Sequence, residues 1–212
     1  GLALLGIESV NVSDDIKVGA PTRDRAIENY IRTIKKLGGA DIHMICYNFM
    51  PVFDWTRSEL QKLRPDGSTV MAYDQKRIDQ IDPARMFEHM DTDSNGFRLA
   101  GWEPERMAKI RDLFRLYEGV DEKKLFDNLV YFLKAVMPAC DECDVNMAIH
   151  MDDPAWSVFG LPRIVKNKAD ILRLMDAVPE PHNGVTLCTG SLGSNPDNDI
   201  PDIIRSLKGR VH

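Results

Sequence analysis

Short apolar runs alternate with amphipathic stretches along this chain. Five runs are continuously apolar and are bounded by polar or turn residues: 2–9, 42–48, 145–150, 185–188 and 210–212. A short run of this kind is typical of a strand that is buried on both faces of a sheet. The pattern therefore predicts five buried strands.

Helical patterns fill the intervals between these runs. Residues 22–37 carry an apolar stripe at helical spacing from Ala26 to Ile34, and two glycines follow where a helix would end. Residues 168–178 and 197–207 repeat the amphipathic pattern more briefly. Strands that alternate with helices predict a parallel sheet joined by crossover helices, so the fold class is α/β.

One interval is much longer than the others and separates the second strand from the third. We interpret it as a helical insertion at about 50–120 within a single domain, 1–212, because long loops of this kind usually lie over a ligand site. A closed (β/α)8 TIM barrel needs about 250 residues, so five strands predict an incomplete barrel and a chain that is a piece of a longer protein. The interval contains an extended stretch, 50–73, and three helical patterns, 74–90, 103–118 and 121–137.

Composition narrows the classes of partner. The 212 residues are 43% hydrophobic and 28% charged, with a net charge of −6, so the chain is an ordinary globular one without the positive field that holds nucleic acid. No apolar run approaches the roughly 20 residues of a membrane span, and the amino terminus lacks a secretory signal. Four cysteines are too few for a disulfide scaffold. A cytoplasmic protein with reduced or metal-bound thiols is expected.

Three successive predicted strands end in a residue that can bind a metal ion: His150, Cys188 and His212. The carboxyl ends of parallel strands open onto one face, so these side chains are expected to converge there. Imidazole and thiolate donors favour zinc or ferrous iron, and a carboxylate ligand would have to follow His212. Taken singly, a histidine at a strand end is also typical of a satisfied polar residue, and a buried cysteine of a small apolar one.

Several segments resemble the mannonate dehydratases of the hexuronate pathway, which have a metal-dependent barrel of the xylose-isomerase type. The family takes metal ligands from its HPDDP and CxGS segments, from a histidine after the next strand and from a later aspartate. The resemblance therefore assigns the first three to His150, Cys188 and His212 and implies Mn2+ or Fe2+ as the cofactor. The segments that carry it are CYNFMPVFDWTR at 46–57, ESVNVSDDIKVGAPTRDRAIENY at 8–30, IHMDDP at 149–154, LCTGSLG at 187–193 and the terminal RVH.

The resemblance implies removal of water from D-mannonate to give 2-keto-3-deoxy-D-gluconate. Two departures from the family pattern affect what can be carried over. Met151 stands where the family commonly has proline. The family's aspartate ligand and its proposed aspartate and tyrosine for proton transfer belong to a region after His212, so the catalytic acid and base are not assigned, and this chain alone is expected to be inactive.

Further side chains are expected near the same rim. Asn48, Trp55 and Arg57 follow the second strand and are candidates for binding the sugar acid, with Arg57 pairing with its carboxylate. An equally good interpretation is that Arg57 anchors its own loop through Asp54 and that Trp55 only packs. Asp152 is a candidate for orienting His150, although the DDP sequence is also ordinary turn chemistry.

Other residues with reactive side chains carry weaker signals. Cys140 and Cys143 form a CxxC without a second pair, so zinc or redox chemistry is not favoured. His43 is expected to make a core or inter-strand polar contact, and His89 and His182 to be solvated. The segment 190–195 is either a plain loop or an anion contact.

Two rival functions stay open at this stage. One is a metal-dependent sugar isomerase on the same barrel, although such sites are richer in carboxylate ligands than this one. The other is a non-catalytic module that binds a sugar acid. A homodimer is also left open.

Overall fold

The computed structural model describes residues 1–83, 105 and 108–212. Strands and helices alternate through most of this range, as the hydrophobic pattern predicts. The strands are β1 (Gly6–Glu8), β2 (Met44–Tyr47), β3 (Glu59–Leu63), β4 (Thr69–Ala72), β5 (Asn146–His150) and β6 (Asn183–Thr186). The helices are α1 (Asp14–Val18), α2 (Arg23–Gly38), α3 (Gln75–Ile78), α4 (Ile110–Leu116), α5 (Glu122–Cys143), α6 (Lys168–Ala177), α7 (Thr189–Gly193) and α8 (Ile200–Ser206).

The main sheet is parallel, with the order β1-β2-β5-β6. The fifth predicted strand is represented by a parallel bridge between Val185 and Val211. The first strand is shorter than expected, since Leu2, Leu4 and Leu5 lie outside it and are exposed. The prediction of a parallel α/β fold with about five strands is confirmed.

Helix α5 packs against the sheet and against α2 through one aromatic ring. Phe132 of α5 lies edge-on to Tyr30 of α2, with 5.0 Å between ring centroids, and it also meets Tyr47 of β2 at 6.1 Å. All three side chains are buried. The offset edge-to-face geometry is the favoured one for aromatic pairs. This contact therefore joins two helices and a strand in one core.

No helix in the described ranges is long and apolar enough to cross a membrane.

The long interval after β2 contains more β-structure than the pattern predicts. Strands β3 and β4 form an antiparallel hairpin within the stretch interpreted only as extended. Only the start of the predicted helix 74–90 is seen, as α3, and residues 79–83 after it are not α-helical. The predicted helix 103–118 is seen as α4. Residues 84–90 of the first prediction, with His89, and 103, 104, 106 and 107 of the second lie outside the described residues. The hairpin is exposed at its tip, so its strands lack the buried apolar face that marks a strand in sequence.

The loop that follows β5 is held from inside by a buried carboxylate. Asp152 is 2% exposed, and its Oδ2 accepts hydrogen bonds from the backbone N–H groups of Ile164 (2.6 Å) and Val165 (2.7 Å). Arg163, 1% exposed, lies close enough to offset its charge. Burial raises the pKa of Asp152, whereas Arg163 and the two N–H donors oppose that rise. Asp152 therefore closes the loop between β5 and α6.

Replacing this carboxylate is expected to destabilise the fold. Asp152→Ala leaves two buried N–H groups without an acceptor and the Arg163 charge without compensation, so the free energy of unfolding should fall by about 3–5 kcal/mol. Denaturant unfolding followed by circular dichroism measures the change. Asp197→Ala, at an exposed position, is the matched control and should stay within about 0.5 kcal/mol of the parent. Equal stability of the two variants would contradict this role.

Candidate metal and substrate site

A cavity of about 700 Å³ lies at the carboxyl ends of the parallel strands. Each strand of the main sheet contributes a side chain at its end or just beyond it, and the insertion after β2 supplies the outer wall. Parallel pairing brings these ends to one edge, which is where ligand sites of α/β folds are built. The wall includes Glu8, Cys46, His150, Cys188, Arg57 and Met71.

His150 is the last residue of β5, and its ring lines this cavity. The ring Nδ1 donates a hydrogen bond to the carbonyl oxygen of Met151 at 2.7 Å. Because Nδ1 then carries the proton, the neutral ring keeps its lone pair on Nε2. A bond from the other ring nitrogen to a backbone carbonyl is the usual arrangement of a metal-binding histidine. His150 is thus set up as a nitrogen donor.

Cys188 lines the same cavity but lies beyond the strand end, because β6 stops at Thr186 and Cys188 caps helix α7. Its Sγ accepts hydrogen bonds from the backbone N–H of Ser191 at 3.4 Å and from the Ser191 hydroxyl at 3.1 Å. These two contacts fix the position of the sulfur at the cavity wall. The segment 190–195, for which a loop was one expectation, begins as this short helix.

The structure does not bring the His212 ring to this cavity. The backbone N–H of His212 donates to Val185 O at 3.2 Å, but the ring lies directly over Gly184, on the side of Pro181 and His182 that precedes β6. Gly184 has no side chain, so the ring can occupy the space beside it. Burial lowers the pKa of His212, and a hydrogen bond to Pro181 opposes that shift.

Of the three side chains expected to converge, His150 and Cys188 line this cavity and His212 does not. Among the described residues, no three His, Cys, Asp or Glu side chains are grouped closely enough to hold a metal ion. His150 and Cys188 share one cavity, and the assignment of all three as ligands stays a prediction.

The guanidinium of Arg57 is paired with Asp153, not with Asp54 as the anchoring interpretation expected. Its two Nη atoms lie 2.6 and 2.9 Å from the two carboxylate oxygens of Asp153. Both side chains are largely buried, at 21% and 15% exposure, and a bidentate pair of this kind is directional as well as charged. The pair ties the loop after β2 to the loop after β5 at the cavity wall.

The other candidates for substrate binding also line the cavity. Asn48 accepts a 3.3 Å hydrogen bond from the backbone N–H of Met50 through its Oδ1, and Trp55 lies beside Arg57, whose Cζ is 6.0 Å from the ring centroid. The expectation that Asp152 orients His150 is not met. Asp152 bonds the backbone at 164–165 instead, because its side chain turns into the core.

Two residues of the cavity wall were not singled out in the sequence. Glu8 ends β1, and Cys46 lies beside it in register on β2. Burial raises the pKa of the Cys46 thiol, Glu8 adds to that rise, and a hydrogen bond with Thr186 opposes it. These surroundings favour the neutral thiol of Cys46. The first apolar run, 2–9, ends one residue after Glu8, whereas the strand itself ends at Glu8.

The described cysteines and histidines with weaker sequence signals do not line this cavity. Cys140 is fully buried in α5, which raises its pKa to about 12, and Cys143 ends that helix. His43 was expected to make a core or inter-strand contact, but it precedes β2, its side chain is 39% exposed, and its polar contacts are to Asp144 O and Asp41 Oδ1 in the adjoining loops. His182 was expected to be solvated, but its ring is mostly buried and Nδ1 lies 2.9 Å from Asn146 Oδ1. A neighbouring strand supplies that partner, which the local sequence does not reveal.

The family model and the curated relatives that this chain matches carry the same description. The family model described as D-mannonate dehydratase (UxuA) matches residues 1–212. Curated proteins named mannonate dehydratase are 64% identical over 211 residues in Brachyspira hyodysenteriae and 58% identical over 213 residues in Geobacillus thermodenitrificans. All of this chain is covered in both matches, and it spans 59% and 57% of the length of those relatives.

A solved structure supports the same relationship. The crystal structure of mannonate dehydratase from Streptococcus suis serotype 2 superposes with a TM-score of 0.83 at 40% sequence identity. The match covers 100% of this chain and 55% of that one. The similarity thus extends over the whole parallel sheet and the cavity at its carboxyl edge. The chain belongs to the D-mannonate dehydratase (UxuA) family.

Proposed function

We propose that the gene product carrying this sequence removes water from D-mannonate to give 2-keto-3-deoxy-D-gluconate. The observation that carries the proposal is the placement of a histidine nitrogen donor and a hydrogen-bonded cysteine sulfur in one strand-end cavity of a chain from this family. The cavity volume, about 700 Å³, is within the range of small-molecule sites.

The family is metal-dependent, and the residues present fit a divalent ion. His150 would supply Nε2, since its Nδ1 is engaged by Met151 O, and Cys188 would supply Sγ. His212 belongs to the proposed set through the family pattern, and joining it requires the ring to leave its place over Gly184. We take the ion to be Mn2+ or Fe2+. When bound, it would stabilise the negative charge that develops as the C2 proton leaves.

The remaining residues of the wall would bind and orient the sugar acid. Asp153 already pairs with both Nη atoms of the Arg57 guanidinium and offsets its charge, so we assign Arg57 to fixing the cavity wall beside the bound sugar acid. Asn48 can hydrogen-bond a sugar hydroxyl, and Trp55 can pack against the carbon chain. The general acid and base are not assigned to any residue of this chain.

The long interval after β2 is part of the same proposal. We assign residues 1–212 to one barrel domain, in which the segment at about 50–120 is an insertion over the site. Met71 of the hairpin and Trp55 support this, since both line the cavity although the main sheet does not contain them. The insertion would then limit access of water to the reacting carbon atoms.

The rival functions differ in what they need at the strand ends. A sugar isomerase site of the same barrel would hold its ions mainly with carboxylates, and a sulfur donor is a poor match for it. A non-catalytic module needs the cavity but no hydrogen-bonded thiolate. The Cys188 contacts with Ser191 therefore favour the dehydratase over both rivals.

Activity of the gene product tests the proposal directly. With Mn2+ or Fe2+ supplied, D-mannonate should be converted to a 2-keto acid, measured by the appearance of that acid over time. Mannose and xylose serve as isomerase substrates for comparison. Tight binding of mannonate without turnover would instead support the non-catalytic module, and turnover of an aldose alone would support the isomerase.

Replacing the proposed sulfur ligand tests the site. Cys188→Ser should lower bound metal and dehydration rate by about tenfold or more, because the thiolate is a far better donor than a neutral hydroxyl. Metal analysis of the purified protein and initial rates measure the two effects. Cys143→Ser, in the same chain but at the end of α5, is the control and should change neither. If the two variants behave alike, the ligand assignment is wrong.

A further inference from the structure

Four side chains form a continuous line of polar contacts along the cavity wall. Arg57 holds Asp153 through two hydrogen bonds, Asp153 Oδ2 lies 3.3 Å from the Ser191 hydroxyl, and that hydroxyl lies 3.1 Å from Cys188 Sγ. The line joins the loops that follow β2, β5 and β6. Ser191 is the member that touches both the carboxylate and the sulfur.

Ser191 is 4% exposed, so little water competes for its hydroxyl group. The hydroxyl has one proton and two acceptors within reach, Asp153 Oδ2 and Cys188 Sγ. Asp153 already receives two charge-assisted hydrogen bonds from Arg57, which offset its negative charge. Sulfur is a larger atom than oxygen, so 3.1 Å is a close contact to Cys188 Sγ, whereas 3.3 Å to Asp153 Oδ2 exceeds the usual O–H···O distance. Of the two acceptors, the Ser191 hydroxyl proton therefore points to the Cys188 sulfur.

We propose that Ser191 is a positioning residue that donates its hydroxyl hydrogen bond to the Cys188 thiolate, fixing the direction and the donor strength of the sulfur toward the metal ion. The inference rests on the proposed function, because it takes Cys188 as a ligand. Asp153 and Arg57 remain paired with each other behind Ser191, and Asp153 Oδ2 makes no hydrogen bond with the Ser191 hydroxyl when its proton points to the sulfur. Outer partners of this kind usually alter metal affinity about 10- to 100-fold when they are removed.

A simpler interpretation is that Ser191 only helps Cys188 to cap helix α7. The backbone N–H of Ser191 provides the capping contact to Sγ at 3.4 Å, and it is present whatever the side chain. Removing the hydroxyl would then leave the sulfur and any bound metal unchanged. The two interpretations differ in the electronic properties of the sulfur, which can be measured without turnover.

Cobalt(II) provides that measurement, because a cysteine thiolate bound to Co2+ gives a near-ultraviolet charge-transfer band. The metal-free gene product is titrated with Co2+, and the dissociation constant and the band position are recorded. Ser191→Ala should move the band to longer wavelength, since a sulfur without the hydrogen bond is more easily oxidised, and should weaken Co2+ binding about tenfold. Ser191→Thr keeps a hydroxyl and should behave like the parent.

Ser194→Ala is the matched control. Its hydroxyl donates to Ser191 O at 2.6 Å and does not contact Cys188 in the structure, so the band and the affinity should stay unchanged. An unshifted band and affinity in Ser191→Ala would overturn the proposal, as would a threonine variant that resembles the alanine one. Failure of Ser191→Ala to fold, judged by far-ultraviolet circular dichroism, would also overturn it, because the hydroxyl would then serve the fold.

The same titration separates this inference from the proposed function. Cys188→Ser should abolish the charge-transfer band altogether. If the band persists in that variant, the sulfur ligand is another residue and the ligand assignment fails. If the band is lost in Cys188→Ser but unshifted in Ser191→Ala, the ligand assignment stands and only the role of Ser191 fails.

Discussion

Parallel pairing of the strands is the constraint on which the rest of this structure depends. In a parallel sheet each strand must be followed by a crossover, so the chain returns to the same starting edge and every carboxyl end meets at the opposite one. Residues that are far apart in sequence, such as Glu8, His150 and Cys188, then line a single cavity. The buried faces of α2 and α5 cover the sheet, as the contact of Phe132 with Tyr30 and Tyr47 illustrates.

The two aspartates in the loop after β5 have different roles: one stabilises the fold and the other belongs to the cavity wall. Asp152 turns into the core, where two backbone N–H groups and Arg163 compensate its burial. Asp153 turns to the cavity wall, where it holds Arg57 and meets Ser191. Neighbouring residues of the same type thus do different work because their side chains leave the backbone in different directions. A loop anchored on both sides provides the rigid support that a precisely placed ligand requires.

The cysteines show how environment decides chemistry. Cys140 is surrounded by apolar side chains of the core, and Cys46 faces the Glu8 carboxylate, so burial and negative charge keep both thiols protonated. Cys188 lies in the cavity wall, where the backbone N–H and the hydroxyl of Ser191 both donate to its sulfur. The surroundings also orient His150. Its Nδ1–H donates a hydrogen bond to Met151 O, so Nε2 is left to bind a ligand. In each case the surroundings, rather than the residue type, set what the atom can do.

Hydrophobic periodicity by itself determined the α/β class, the order of the elements that build the main sheet and the strand-end position of His150, because burial on a regular element leaves a period in the sequence. Cys188 lies two residues beyond the end of β6. The family could also be identified from contiguous segments such as 46–57. Only the tertiary structure decided that Arg57 pairs with Asp153, that Asp152 faces the core and that the His212 ring rests on Gly184. Those outcomes depend on side-chain direction and on partners distant in sequence, and neither leaves a local pattern that can be read along the chain.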